Sequence, residues 1–163
     1  FNNHSILLVR CDGENALSIL PKKIKKCYVS INKPYLKIIH EAGYDKNTIF
    51  IDAASSKLNP EERDYHCVFI EKPLDLDVFE RKIVETTKKY DCDAIIIDNL
   101  SELLLYQDPY KVLQLSNNIS SREELKNVKK VFVIKENPEL MPKKNTSLLK
   151  DISMLVNEIL KTC

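Results

Sequence analysis

A carboxylate, Asp98, follows directly after a run of four apolar residues, 94–97, three of which are isoleucines. Such a run predicts a strand that is covered on both faces, as in a parallel sheet flanked by helices. Ligands of open α/β sheets bind in the crevice at the carboxyl ends of the strands, so an acid in this position is placed for chemistry. The position also suits a helix start, because Asp98, Asn99 or Ser101 can each cap the apolar pattern that follows. Both interpretations remain open here.

Other polar residues follow the remaining predicted strands. They are Asp12 and Gly13 after the first strand, Asn32 after the second, Asp52 after the third and Lys135 after the last. If the strand ends meet, these residues and Asp98 lie beside one crevice. Each also has a plainer interpretation: Asp52 and Asp98 as caps, Asn32 as a turn former and Lys135 as a solvated strand end.

Short apolar runs alternate with segments of helical periodicity along the whole chain. The strands are predicted at 5–9, 27–31, 48–51, 67–70, 94–98 and 131–134, and the helices at about 34–42, 75–89, 110–119 and 148–159. This alternation predicts an α/β fold, a three-layer sandwich with a mostly parallel central sheet of about six strands flanked by helices. A length of 163 residues fits a single domain spanning residues 1–163.

Composition limits the classes of partner. Lys and Arg number 25 against 24 Asp and Glu, and no apolar run approaches the length that spans a bilayer, so we expect neither nucleic acid nor membrane as a partner. The lysine cluster Lys22, Lys23, Lys25 and Lys26 is interpreted as a solvated face, because no aromatic platform accompanies it in the sequence. Five cysteines without a CxxC pair suit reduced thiols in the cytoplasm, and the three histidines lack metal-binding spacing.

Glycine is scarce, since Gly13 and Gly43 are the only two in the chain. Segment 10–18 occupies the place of a phosphate-binding loop, after the first strand, but it contains no Gly-Lys-Ser/Thr. Asp12 and Glu14 would also place two negative charges beside a polyphosphate. The segment is therefore not a standard phosphate loop, and the same scarcity of glycine excludes a GxGxxG dinucleotide site. No GxSxG elbow is present, so the sequence does not support a serine hydrolase of that type.

Three segments, 27–35, 49–53 and 93–103, resemble the corresponding parts of RecA-like ATPases of the KaiC type. The resemblance covers nearly the whole chain, including residues 148–160, which resemble the terminal segment of that family. The Asp98 segment is similar to its Walker B strand, which is followed by a serine-rich turn that here contains Ser101. The resemblance implies a RecA-like sheet and places Asp98 at the Walker B position.

The departures from this family concern its chemistry. The Walker A Lys and Thr have no counterpart between Arg10 and Leu20, and the paired glutamates after the second strand correspond to Asn32 and Lys33. The resemblance thus implies a degenerate, noncatalytic domain without ATP hydrolysis, metal or cofactor, which serves as a regulatory or protein-interaction module or self-associates. The alternative is a nonstandard nucleotide-binding protein or sensor that uses the strand-end crevice with ATP or Mg²⁺.

One local similarity points to a receiver domain of the response-regulator type. Lys72 and Pro73 look like the Lys-Pro pair of a receiver, and Asp52 precedes them as a candidate phosphate acceptor. A receiver also needs an acidic pair after its first strand, where this chain has only Asp12. We interpret Lys72-Pro73 mainly as a turn between a strand and a helix.

Overall fold

A computed structural model describes residues 4–10, 15–55, 66–70, 75–135 and 142–162, and every structural statement below concerns these ranges. Seven strands form one sheet in the order β4-β3-β2-β5-β6-β1-β7, and all neighbouring pairs are parallel. The strands are β1 (Ser5–Arg10), β2 (Lys26–Ser30), β3 (Thr48–Asp52), β4 (Cys67–Phe69), β5 (Ala94–Asp98), β6 (Lys129–Lys135) and β7 (Glu158–Lys161).

Five α-helices connect or follow these strands. The helices are α1 (Tyr35–Ala42), α2 (Leu76–Lys89), α3 (Leu100–Leu103), α4 (Pro109–Ser121) and α5 (Pro142–Ser153), and three-residue 3-10 helices occupy 17–19 and 123–125. Local signals explain where they start: Asp75 accepts hydrogen bonds from the first turn of α2, and Asp108 caps α4 just before Pro109. Gly43 ends α1 at a positive φ, a conformation that favours glycine.

The sheet is covered on both faces, which confirms the predicted three-layer α/β fold. On one face, Phe79 and Ile83 of α2 and Ile152 of α5 pack with Ile95 and Ile97 of β5. On the other face, Tyr35 and Ile38 of α1 pack with residues of the 16–24 segment and with alternate strand residues.

The end of the chain differs from the sequence prediction. A helix was expected to run to about residue 159, but α5 ends at Ser153 and β7 follows as an edge strand beside β1. The Asn157 side chain accepts from the Ser5 backbone N–H at 2.8 Å, and the Asn157 N–H donates to the Ser5 carbonyl at 2.9 Å. These bonds anchor the last strand to β1, so pairing across the chain outweighs the local helical periodicity.

The sheet order also argues against the receiver interpretation. A receiver has the strand order 2-1-3-4-5, with its first strand between the second and third. Here β1 lies between β6 and β7, far from β2. Lys72 and Pro73 lie outside the described residues.

None of the helices in the described ranges combines the length and the apolar character needed to cross a membrane.

Candidate functional site

The carboxyl ends of five neighbouring strands bring most of the predicted site residues to one edge of the sheet. Ser30 at the end of β2 lies level with Asp52 of β3 on one side and with Asp98 of β5 on the other. Arg10 at the end of β1 lies level with Lys135 of β6. Parallel strands with the order found here therefore place Asp98 between β2 and the cationic ends of β6 and β1.

Asp98 is held by a tyrosine from the neighbouring strand. The Tyr28 hydroxyl donates a hydrogen bond to Asp98 Oδ2 and accepts one from the Ala16 backbone N–H at 3.2 Å. Tyr28 is fully buried and contacts the Phe50 ring edge-on, with centroids 5.8 Å apart. Burial and the Asp98 charge raise the pKa of Tyr28, so the phenol stays protonated and remains a donor.

The charges of three cations act on the same carboxylate. Desolvation raises the pKa of Asp98, while the Tyr28 hydrogen bond and the charges of Arg10, Lys33 and Lys135 act in the opposite direction. The net shift of the Asp98 pKa is upward. The free-energy cost of burying the ionised carboxylate therefore exceeds the stabilisation that it gains from its neighbours. The strand-end crevice thus combines one half-buried acid with several basic side chains.

The residue after Asp98 acts as the cap of the following helix. Asn99 is buried, and its Oδ1 accepts from the backbone N–H of Ser101 at 2.9 Å and from that of Lys135 at 3.3 Å. Ser101 Oγ accepts from the same Lys135 N–H at 3.2 Å. Of the three candidate caps in the sequence, Asn99 is therefore the one that caps α3. Ser101 and the Lys135 backbone join this helix to the end of β6.

The side chain of Asp52 holds two backbone segments together. It is fully buried, and its carboxylate accepts from the N–H groups of Tyr35, Ala54 and Ser55 at 2.8 to 3.0 Å and from the Ser55 hydroxyl at 2.7 Å. Four donors saturate the carboxylate oxygens. Asp52 therefore ties the start of α1 to the turn after β3, as the plainer interpretation of this residue predicted.

The remaining site candidates contribute less. Asn32 is exposed in the turn after β2, and Lys33 forms an ion pair with Glu41 of α1 at 3.0 Å. The Ser30 hydroxyl donates to the Lys33 carbonyl and fixes this turn. Asp12 and Gly13 lie outside the described residues. The positions that correspond to the family's paired glutamates thus carry an exposed amide and a lysine paired with a helix.

The segment between β1 and β2 lacks a helix of useful length in its described part. Residues 15–25 form only the 3-10 helix 17–19, which has no side-chain cap. Phosphate sites at this position depend on the exposed N–H groups and dipole of an α-helix N-terminus. In residues 15–25 that helix is absent, and the Ala16 N–H, near its expected start, is bonded to Tyr28.

Open space lies beside this segment. A cavity of about 880 Å³ is lined by Leu17, Ser18 and Lys26 on one side and by the end of α1 on the other. Lys26, expected in the solvated lysine cluster, is buried at 1% exposure and pairs with Asp45 at 3.1 Å. Within the described ranges, no group of three His, Cys, Asp or Glu residues is placed to bind a metal.

Sequence reasoning missed three residues that define the Asp98 environment: Tyr28, Arg10 and Lys33. One of them had a signal, because a tyrosine in the middle of a buried strand needs a polar partner for its hydroxyl. The strand that supplies this partner, β5, is distant in the sequence. Only the sheet order brings Asp98 beside β2.

The parallel seven-stranded sheet with helices on both faces forms an α/β fold of the RecA/KaiC-like type. A KaiC-like protein from the hyperthermophilic archaeon Pyrococcus horikoshii is similar in structure, with a TM-score of 0.61 and 12% identity over 98% of this chain and 72% of the other. At this identity the likeness shows the fold alone. No protein-family model and no curated protein sequence matches the chain.

Proposed function

We propose that this chain is a noncatalytic RecA/KaiC-like domain that works as a regulatory or protein-interaction module. The observation that carries the proposal is the double contact of Tyr28, which joins Asp98 to the Ala16 N–H. One side chain thereby occupies both the carboxylate at the end of β5 and the backbone where a phosphate-binding helix would begin.

Phosphoryl transfer needs several parts at once: a backbone cradle with its Lys, a hydroxyl that binds Mg²⁺, and a residue that orients the attacking nucleophile. The sequence between Arg10 and Leu20 supplies no Gly-Lys-Ser/Thr, and Asn32 and Lys33 stand where the resemblance places glutamates. A single retained carboxylate cannot replace the missing parts. This combination supports a domain that has kept the fold without the reaction.

A phosphate-release assay tests the catalytic half of the proposal. We expect the chain with Mg-ATP or Mg-GTP to release no more phosphate than the same solution without protein, and Asp98→Asn to behave identically. Release that the wild type shows and Asp98→Asn loses would contradict the proposal, because it would assign a reaction to this carboxylate.

Three cations, Arg10, Lys33 and Lys135, act electrostatically on Asp98, and this favours a second candidate, a nonstandard nucleotide-binding protein or sensor. Cations at the carboxyl edge would attract phosphates without a standard loop. This candidate predicts nucleotide binding without turnover, so a binding measurement separates it from the first.

A further inference from the structure

The opposite edge of the sheet carries a basic surface with aromatic side chains. We call the region formed by Lys25, Lys46, His66, Tyr90 and Tyr44 the amino-edge surface. The first four line a cavity of about 400 Å³, together with Ile49 and Cys92. The cavity lies at the amino ends of β2, β3 and β5, away from Asp98.

Two lysines lie in the wall of the cavity. Its described lining residues include the exposed lysines Lys25 and Lys46 and no carboxylate. Lys22 extends the basic area, since its carbonyl accepts from the Asn47 side chain at 2.9 Å and its own side chain is exposed. The fold thus brings Lys46, which is distant in sequence, to the exposed part of the lysine cluster.

Aromatic side chains accompany these lysines. Tyr44 is 60% exposed, contacts the His66 ring edge-on and shares a 2.8 Å hydrogen bond with it. Tyr90 is 37% exposed, with the Lys89 ammonium 5.4 Å from its ring centre. The sequence offered no aromatic platform beside the lysine cluster, but the fold assembles one from three separate segments. Exposed tyrosines beside a cavity are characteristic of protein-binding surfaces.

We propose that the amino-edge surface binds an acidic segment of a partner protein and that an apolar or aromatic side chain of this segment enters the cavity. The proposal rests on the protein-interaction function and names the chemistry of the partner. Lys25 and Lys46 pair with the acidic residues, while Ile49 and the Tyr90 ring contact the inserted side chain.

The nearby acids favour a peptide over a nucleic acid. Asp91 and Asp93 are exposed on either side of Cys92, and both charges act on its thiol together with Lys25. A uniform phosphate backbone would meet these carboxylates and be repelled. A peptide can place its acidic residues at the lysines and neutral residues beside Asp91 and Asp93.

A peptide array tests this proposal with three charge backgrounds. Decapeptides of acidic, neutral or basic composition carry Phe, Leu or Ser at the centre, and the strongest acidic binder is measured by fluorescence anisotropy. We expect acidic peptides with Phe or Leu to bind best, and the double variant Lys25→Glu/Lys46→Glu to bind that peptide at least tenfold more weakly. The matched control, Lys37→Glu/Lys150→Glu, reverses two exposed lysines on α1 and α5 and should bind like the wild type.

Tyrosine variants separate the cavity from simple charge attraction. Tyr90→Ala should weaken binding of the acidic peptide severalfold, whereas Tyr110→Ala, which changes a tyrosine that is 71% exposed on α4, should not. Binding without preference for acidic peptides, or equal loss in both charge variants, would overturn the proposal. Tighter, Tyr90-dependent binding of a labelled dT12 oligonucleotide would also overturn it. Nucleotide binding at Asp98 would contradict the proposed function, but the peptide measurement would still test the amino-edge surface independently.

Discussion

The hydroxyl of Tyr28 donates a hydrogen bond to the carboxylate of Asp98 on the adjacent strand. Asp98 lies level with Ser30, where β2 and β5 both end, and Tyr28 lies two residues before Ser30. The same hydroxyl accepts the Ala16 N–H at 3.2 Å. Strand β2, strand β5 and the segment after β1 therefore meet at one side chain.

Replacing Tyr28 with Phe tests the energy of this junction. The variant leaves the Asp98 carboxylate and the Ala16 N–H without their partner, so we expect the free energy of unfolding to fall by about 1–3 kcal/mol. The pKa of Asp98 should rise further, because the lost hydrogen bond lowers it in the wild type. Urea denaturation measures the first effect and carboxyl NMR titration the second. Tyr110→Phe is the control, and equal stability of the two variants would argue against the junction.

The pH dependence of stability follows from the raised pKa of Asp98. The folded state keeps a proton at a pH where the unfolded state, with a pKa of about 3.9, has lost it. This contribution to stability is present below the unfolded pKa and is lost as pH rises through the folded pKa. Against Asp98→Asn, the wild type should therefore lose stability as pH rises above about 4. Chemical denaturation at a series of pH values measures this difference, and a constant offset between the two proteins would refute it.

The ion pair between Lys26 and Asp45 joins the start of β2 to the turn before β3. Its atoms are 3.1 Å apart, and Lys26 Nζ also donates to the Ile24 carbonyl at 3.0 Å. We expect Lys26→Met to lower the free energy of unfolding by about 2 kcal/mol or more, because Asp45 loses its cation. A double-mutant cycle with Asp45→Asn measures the coupling. Additive effects of the two changes would show that the pair contributes nothing.

Lys130 gives the stability a second pH dependence, in which stability rises with pH, opposite to the effect of Asp98. It is fully buried at the start of β6, donates to the Leu125 carbonyl, and burial lowers its pKa to about 8. The unfolded state, with a pKa of about 10.4, binds more protons between these values, so this group makes stability rise with pH across that window. Relative to Lys130→Met, the wild type should gain stability between those two pKa values. If the stabilities of the wild type and Lys130→Met change in parallel with pH, the lowered pKa of Lys130 would be contradicted.

The layers and the parallel sheet were predictable from the sequence, because buried strands and amphipathic helices each have a hydrophobic pattern that can be read within a single segment. The apolar run 94–97 placed Asp98 at a strand end, where the structure has it. The same local signals identified α2 almost to the residue, since Asp75 marks its start and two lysines its end. The end of the terminal helix was wrong, because Leu155, Val156 and Ile159 continue its apolar spacing, whereas residues 158–161 form β7 by pairing with β1.

The side chains that contact Asp98 could not be predicted from any single segment of the sequence. Tyr28 lies 70 residues away in the chain and reaches Asp98 only through the pairing of β2 with β5. Lys26 looked like part of a solvated cluster, and its burial depends on Asp45 in a different turn. Contacts of this kind are set by the strand order, which no single segment encodes.

The measurement that tests the central claim most directly is calorimetric titration of ATP and GTP, with and without Mg²⁺, into this chain and into Asp98→Asn. Thermal melting of the same samples, each required to unfold cooperatively, confirms that both proteins are folded. The noncatalytic interaction-module account predicts no heat of binding and no melting shift at millimolar nucleotide. Micromolar binding that weakens in Asp98→Asn would contradict it and would assign a nucleotide to the strand-end crevice.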